Sequence, residues 1–314
     1  MKEIEIKSFD NKQLYTYIWD DVKKPIGVIH LIHGSAEHML RYNEFAKFLN
    51  KNNYIVVGAD HRGHGKTANL KENELGYFAD KDGWNIIIKD LKVINDFITS
   101  SYKSLDIIIA GHSMGSFMVR HYISSYGDSV KGAFIIGTAL YSNIVLNFGL
   151  GVANKNIKKF GPKNIDEFIW KLSYKPLNSK FKKFGKTGAE WLSNDSKVVQ
   201  DFVDDYLTGQ KFTSSGFRDL FTGLINIQKQ DSIDRIPKNL PIFIMSGEND
   251  SVGKFGKDPK KLQKIYLKNG LDSKLRLYFN MRHEILNEVG KEKVWKDFIE
   301  FINQIKLKNN YIEL

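Results

Sequence analysis

The pentapeptide Gly111-His112-Ser113-Met114-Gly115 has the residue types and the spacing of a serine nucleophile held in a tight turn. It follows the apolar run LDIIIA, which is typical of a strand, and it precedes FMVRHYISSY, which is typical of a helix. Such a turn brings neighbouring backbone close to the serine, so small residues are needed two positions before and after it. We therefore predict that Ser113 is a nucleophile and that Gly111 and Gly115 permit its turn. The alternative is an ordinary glycine-rich turn with a helix-capping serine.

A general base for Ser113 is expected downstream of it, because in this strand–turn–helix arrangement the acid and then the histidine follow the serine along the chain. Of the eight histidines, only His283 lies after residue 121. It occurs in NMRHEILNE, between the last strand pattern and the final helix pattern. We predict that His283 is the base, with an exposed loop histidine as the alternative.

The acid of such a triad is expected just past the preceding strand, where PIFIMSGEND supplies Glu248 and Asp250. We favour Asp250, because an aspartate can hold the second ring nitrogen of the histidine and stabilise the imidazolium that forms. Its position three residues past Gly247 leaves enough loop for the carboxylate to turn inward. Glu248 is the alternative acid, and a loop-capping role is the alternative for Asp250.

The segment LIHGSAEH also follows a strand pattern, and it is a candidate for the loop that stabilises a developing oxyanion. The predicted backbone donors are the N–H of Ser35 and the N–H of Met114, the residue after the nucleophile. The chemistry is acyl transfer through a covalent intermediate that water clears, and it requires no metal, nucleotide or redox cofactor. The segment GADHRGHG, residues 58–65, lacks the terminal Gly-Lys-Ser/Thr of a phosphate-binding loop.

The elements that must position these residues alternate along the first half of the chain, which predicts an α/β fold with a mostly parallel sheet flanked by helices. Runs that are apolar throughout are typical of strands covered on both faces, and apolar residues at three- and four-residue spacing are typical of helices. The predicted strands are Glu3–Phe9, Leu14–Trp19, Gly27–Ile32, Tyr54–Ala59, Leu105–Ala110, Ala133–Ile136, Pro241–Met245 and Ser273–Tyr278, and the predicted helices are Tyr42–Asn50, Trp84–Thr99, 117–126 and Val294–Ile305.

Composition excludes several classes of protein. The chain has 314 residues, 42% of them hydrophobic, and no cysteine, which removes disulfides, thiolate nucleophiles, iron–sulfur clusters and cysteine-rich zinc sites. Charges scattered through the first 21 residues exclude a signal-peptide h-region, so the protein is predicted to be cytoplasmic, with peripheral membrane contact left open. Residues 132–154 carry no charge, but their glycines and asparagines favour a strand, a loop and a helix start over a transmembrane helix.

The alternation stops after residue 140, and residues 141–228 are typical of an inserted set of helices. We predict a core made of residues 1–140 and 229–314, split by a helical lid at 141–228. Ten of the lysines lie in residues 151–190 against three acidic residues, which gives this stretch +7 of the total charge of +11. Interleaved aromatic residues would suit an anionic lipid surface, while a solvated helical face is the alternative. Nucleic acid is not an expected partner, because no recognition motif accompanies the charge.

Together these motifs resemble the monoacylglycerol lipase and lysophospholipase group of α/β-hydrolases, which is related to the serine aminopeptidase-type family. The resemblance implies the α/β-hydrolase fold, the triad Ser113, Asp250 and His283, and the oxyanion donors Ser35 and Met114. It also implies supporting roles for Glu37, His38 and Arg62, and it is imperfect at Ala36, where many relatives have glycine. The segments that carry it are HLIHGSAEHMLRY, GADHRGHGKT, GHSMG, SGENDSV and RHEILNE.

The function expected from these residues and this resemblance is hydrolysis of single-chain lipid esters, either lysophospholipid or monoacylglycerol. A short-chain carboxylesterase or an aminopeptidase of the same fold is the alternative among enzymes. A catalytically inactive protein that binds lipid surfaces is the alternative among non-enzymes.

Overall fold

The computed structural model describes the backbone of residues 1–310 and the side chains of residues 1–305. Eight strands form one sheet in the order β1-β2-β4-β3-β5-β6-β7-β8. The pairs β1–β2 and β2–β4 are antiparallel and all other neighbours are parallel. The strands are β1 (Lys2–Lys7), β2 (Gln13–Trp19), β3 (Gly27–Ile32), β4 (Tyr54–Ala59), β5 (Ile107–His112), β6 (Gly132–Ile136), β7 (Ile242–Gly247) and β8 (Ser273–Tyr278).

The predicted strands are all present, and three of them, β3, β4 and β8, have the predicted bounds. The largest difference is in β5, which begins and ends two residues later than predicted. Its last residues, Gly111 and His112, pair with Ile135 and Ile136 of β6. The parallel ladder therefore continues to the residue before Ser113, which places that serine at the carboxyl edge of the sheet.

Ten α-helices accompany the sheet in the described part of the chain, and they cover both of its faces. The helices are α1 (Asn43–Lys51), α2 (Gly83–Ser101), α3 (Met114–Tyr126), α4 (Asn143–Phe160), α5 (Glu167–Tyr174), α6 (Ser196–Asp204), α7 (Ser214–Asn226), α8 (Gln230–Asp234), α9 (Lys257–Lys268) and α10 (Lys291–Asn310). Buried residues of α2, α3, α7 and α9 form the core on one face, and those of α1 and α10 form it on the other.

Five α-helices of the described chain, α4 to α8, lie between β6 and β7. The first four lie within residues 141–228, which we call the inserted segment. Within it, α4 packs along α7, and Ile165 pairs with Thr213 in an isolated antiparallel bridge. The uncharged residues 132–154 form β6, a connection and the first turns of α4, whose first turn is capped when Ser142 accepts the N–H of Ile144 at 3.3 Å. Within residues 1–310 no helix combines the length and the apolar character needed to cross a membrane.

Candidate active site

Ser113 occupies a strained turn between β5 and α3. Its φ and ψ are 54° and −119°, a left-handed conformation that few residues other than glycine adopt. A Cβ at Gly111 would lie 2.2 Å from the carbonyl oxygen of Gly115, and a Cβ at Gly115 would lie 2.4 Å from that of Ile32. Both flanking positions therefore require glycine, which is the physical reason for the spacing in the pentapeptide.

His283 and Asp250 lie together at the same edge of the sheet. The Nδ1 of His283 is 3.0 Å from Oδ1 of Asp250, which also accepts the N–H of Val252 at 2.8 Å. Asp250 is fully buried, and burial acts to raise its pKa, but the charge and hydrogen bond of His283 outweigh burial and hold that pKa below its usual range. Glu248, the alternative acid, is exposed to solvent. The geometry therefore favours Asp250.

The other imidazole nitrogen, Nε2 of His283, is buried and has no hydrogen-bond partner among the described residues. Ser113 and His283 line the same cavity. An unpaired buried nitrogen costs free energy unless a substrate, a water molecule or the serine satisfies it. This imidazole is available to accept a proton in that cavity.

Ser35 and Met114, the predicted oxyanion donors, line the same cavity as Ser113. Neither N–H donates a hydrogen bond to another described residue, and that of Met114 is the first of α3. The adjacent Gly34 lies against the nucleophile, since a Cβ there would be 3.0 Å from the Cβ of Ser113. Ala36 has a φ of 56°, in the left-handed region that glycine adopts freely. The alanine that departs from the usual pattern is thus held in a strained conformation.

Glu37 supports this loop through a buried network that motif spacing did not reveal. Its Oε1 accepts the N–H of Gly34 and the hydroxyl of Tyr42, both at 2.6 Å. Arg41 donates to Oε2 of Glu37 at 2.6 Å and binds both carboxylate oxygens of Glu284 at 2.7 Å. Because Glu284 follows His283, one guanidinium connects the loop of Ser35 with the loop of the candidate base.

His112 completes this network from the strand side. Its Nδ1 faces the hydroxyl of Tyr42 at 2.9 Å and its Nε2 faces the carbonyl oxygen of His283 at 3.1 Å. Burial acts to lower the pKa of His112, but the hydrogen bond and charge of Glu37 prevail and raise that pKa. His112 therefore connects the end of β5 to the loop of Ser35, through Tyr42 and Glu37, and to the loop of His283.

The other two predicted supports contact different parts of the molecule. The Nε2 of His38 is 2.8 Å from Asp205, so His38 joins the Ser35 loop to the inserted segment. Arg62 binds Asp10 and Asp90, which lie on the β1–β2 turn and on α2, and it does not line the cavity at Ser113. Arg62 therefore stabilises the fold at a distance from the site.

Two cavities meet at Ser113, and Ser35, Tyr174 and Trp191 also line both. One, of about 330 Å³, is walled mainly by apolar side chains of α4, α5 and α7. The other, of about 500 Å³, contains polar and charged side chains, among them Lys171, Lys175, Lys211 and Glu167. The hydroxyl of Tyr174 donates to Oγ of Ser35 at 3.0 Å, on the boundary between the two cavities. The site therefore offers an apolar cavity to one side of an ester and a polar cavity to the other.

No group of three or more acidic or histidine side chains in the described part of the chain is arranged to bind a metal ion.

The family model for the serine aminopeptidases, S33, matches residues 23–290 of this chain. A monoacylglycerol lipase from Mycolicibacterium smegmatis is 22% identical over 91% of each chain. The monoglyceride lipase from Homo sapiens is 26% identical over 61% of this chain and 58% of the human protein. A carboxyl esterase from Bacillus coagulans, solved in complex with glycerol, is 25% identical with a TM-score of 0.89, covering 97% of this chain and 98% of its own. The chain therefore belongs to the S33 serine aminopeptidase family, in the monoacylglycerol lipase-like branch of the α/β-hydrolases, and is a carboxylic ester hydrolase.

Proposed function

We propose that the protein hydrolyses single-chain lipid esters, either monoacylglycerol or lysophospholipid, through an acyl-enzyme on Ser113. The observation that carries the proposal is the meeting of an apolar and a polar cavity at that serine. An acyl chain fits the first cavity and the alcohol part of the ester fits the second. The relatives named as monoacylglycerol and monoglyceride lipases support the same substrate class.

In the proposed mechanism, Nε2 of His283 takes the proton of the Ser113 hydroxyl as its oxygen attacks the ester carbonyl. Asp250 stabilises the imidazolium through the hydrogen bond to Nδ1. The N–H groups of Ser35 and Met114 donate to the carbonyl oxygen as it gains negative charge. His283 gives the proton to the leaving alcohol. A water molecule then attacks the acyl carbonyl as His283 takes its proton, the bond to Ser113 breaks, and His283 returns the proton to the serine oxygen as the fatty acid leaves.

The size of the apolar cavity sets the expected chain length. A methylene group is close in size to a water molecule, whose share of liquid volume is about 30 Å³. A cavity of about 330 Å³ therefore holds a chain of roughly ten carbons. Its walls include Phe117, Leu146, Phe217, Leu220, Phe221 and Val252. We expect medium-chain acyl esters to be preferred over acetyl esters.

The inserted segment, in this proposal, is a lid that also contacts anionic membranes. Three apolar side chains of the inserted segment border the apolar cavity and are also exposed to solvent: Val145 at 62%, Phe148 at 60% and Phe168 at 57%. Lysines Lys155, Lys158 and Lys159 follow on α4. Apolar side chains enter the lipid boundary, and each lysine near an anionic surface adds about 1 kcal/mol of binding. The lid would thus bring the cavity entrance to the lipid that supplies the substrate.

Membrane contact is tested by sedimentation with vesicles of phosphatidylcholine alone or mixed with phosphatidylglycerol. We expect binding to the mixed vesicles that weakens with salt and with Phe148→Ser. Leu267→Ser is the matched control, because Leu267 is 53% exposed on α9, outside the lid. Equal binding to both vesicle types, or equal loss in both variants, would remove the membrane part of the proposal.

The substrate proposal is tested with p-nitrophenyl esters from two to sixteen carbons, beside amino-acid arylamides. A maximum of kcat/KM at medium chain length supports it, and an acetyl preference would point to a short-chain esterase. Cleavage of the arylamides would point to an aminopeptidase. Incubation with a cellular lipid extract, followed by mass spectrometry of released fatty acids and head groups, identifies the alcohol part of the substrate.

A further inference from the structure

A separate cavity of about 400 Å³ lies behind the apolar cavity, where α3, α9 and the start of α4 approach one another. It shares only Tyr141 and Lys254 with the apolar cavity, and Ser113 does not line it. Leu140, Ile233, Leu262 and Ile265 form apolar parts of its wall. The candidate active site makes no use of this space.

Arg120, on α3, is the unusual feature of the wall. Arg120 is 2% exposed. Its guanidinium donates to the carbonyl oxygen of Ala139 at 3.0 Å and to the hydroxyl of Thr138 at 3.4 Å. Its Nε has no hydrogen-bond partner among the described residues, although the side chain also interacts with the hydroxyl of Tyr266 and with the charge of Asp258. Burial lowers the pKa of Arg120, and the opposing effects of the Tyr266 hydroxyl and the Asp258 carboxylate are too weak to restore it. A buried cation is normally paired, because desolvation costs several kcal/mol.

The one carboxylate in the wall of this cavity does not balance its three cations. Lys254 and Lys261 are also in the wall, against one acid, Asp258. Asp258 is engaged already, since it pairs with Lys254 at 3.0 Å and accepts the N–H of Leu140 at 3.0 Å. Three cations against one carboxylate leave a net charge of +2 in the wall. Ser142 and Asn143, at the amino-terminal end of α4, add the positive end of a helix dipole.

We propose that this cavity binds a small organic anion through a carboxylate or phosphate group, whose negative charge offsets the excess positive charge of Arg120, Lys254 and Lys261 in the wall. Both groups present oxygens that guanidinium and ammonium donors bind well. At about 30 Å³ per water-sized group, about 400 Å³ holds more than a bare ion, and the apolar wall suits a short carbon skeleton. The ligand is distinct from the ester substrate, so the proposal does not depend on the proposed function.

The test is isothermal titration calorimetry of the full chain with inorganic phosphate and, separately, with succinate, at an ionic strength matched with chloride. Saturable binding of either anion is expected, and the two arms distinguish a phosphate from a carboxylate ligand. Arg120 is buried, so variants nearer the rim are preferable. Lys261→Gln removes one cation, and loss of a charge-assisted hydrogen bond weakens binding by about tenfold or more.

Gln228→Glu is the second variant, since it places a carboxylate in the wall itself. Gln228 Oε1 accepts the N–H of Tyr141 at 2.9 Å, a bond that glutamate retains, while its Nε2 donates to the carbonyl oxygen of Tyr141 at 3.1 Å, a bond that glutamate loses, so thermal unfolding of this variant is measured beside binding. We expect this variant to abolish anion binding. Lys260→Gln, an exposed position on α9 outside the wall, is the matched control and should bind as the wild type does. Absence of binding by both anions, or equal binding in all variants, would overturn the proposal.

Discussion

Replacing Arg41 with alanine should destabilise the protein by about 3–5 kcal/mol at neutral pH, the range for breaking a buried ion pair by removing one partner. The side chain of Arg41 is 11% exposed, and those of Glu37 and Glu284 are 3% exposed. Its removal leaves Glu284 without its arginine and Glu37 with His112 as its remaining basic partner. The same change untethers the loops of Ser35 and His283, so kcat should fall as well.

The destabilisation should depend on pH in a defined direction. Burial acts to raise the pKa of Glu37, but the hydrogen bond of His112 and the charge of Arg41 hold that pKa well below its usual range. A lowered folded-state pKa contributes stability above the unfolded value of about 4.3, and this stability is lost as pH falls through the folded pKa. Without the charge of Arg41, the buried carboxylate of Glu37 takes up a proton more readily. The difference between variant and wild type should therefore shrink between pH 7.5 and pH 5.

Urea unfolding of wild type, Arg41→Ala and Arg41→Lys at both pH values measures these differences. Arg41→Lys retains the charge but loses the two-point contact with Glu284, so its free energy of unfolding should be intermediate. A difference below about 1 kcal/mol for Arg41→Ala, as for exposed pairs, would refute the reasoning. So would a difference that grows as the pH falls.

Three further changes test other parts of the site. Asp250→Asn should lower kcat by about 10⁴-fold, because an asparagine disturbs the tautomer of His283, while Glu248→Gln leaves initial rates unchanged; equal effects would contradict the assignment of Asp250. Ala36→Gly should leave the free energy of unfolding within about 1 kcal/mol of the wild-type value, because relief of the left-handed strain is offset by the greater entropy of glycine in the unfolded chain. Ala36→Val should lower the free energy of unfolding clearly, and thermal unfolding measures both variants. Leu220→Trp narrows the apolar cavity and should move the ester preference towards shorter chains, and an unchanged chain-length profile would place the acyl chain elsewhere.

The fold was predictable where each strand is covered on both faces. The apolar runs of β3 and β4 are typical of buried strands, and the bounds predicted from them match those of the structure. The helix α9, by contrast, was not predicted, because KDPKKLQKIYLK contains five lysines and a proline and buries only one face, with Leu262 and Tyr266 inward. A sequence with so few apolar residues gives weak periodicity, although the tertiary packing stabilises the helix.

The residues of the predicted triad could be chosen from the sequence because each lies in a short motif and the motifs occur in the expected order along the chain. Arg41 could not be found in that way, because its partner Glu284 is 243 residues distant and the contact depends on how the two loops meet. At Ala36 the sequence shows that alanine replaces the usual glycine. Only the backbone of the folded chain shows that this position has a positive φ, and therefore that the alanine is strained.

Labelling with a fluorophosphonate probe, followed by peptide mass mapping, tests the central claim most directly, because the probe reacts only with a serine that its own site activates. We expect one adduct, on the peptide that contains Ser113, with labelling abolished in Ser113→Ala and strongly slowed in His283→Ala. An unlabelled wild type, or an adduct on any other serine, would contradict the account.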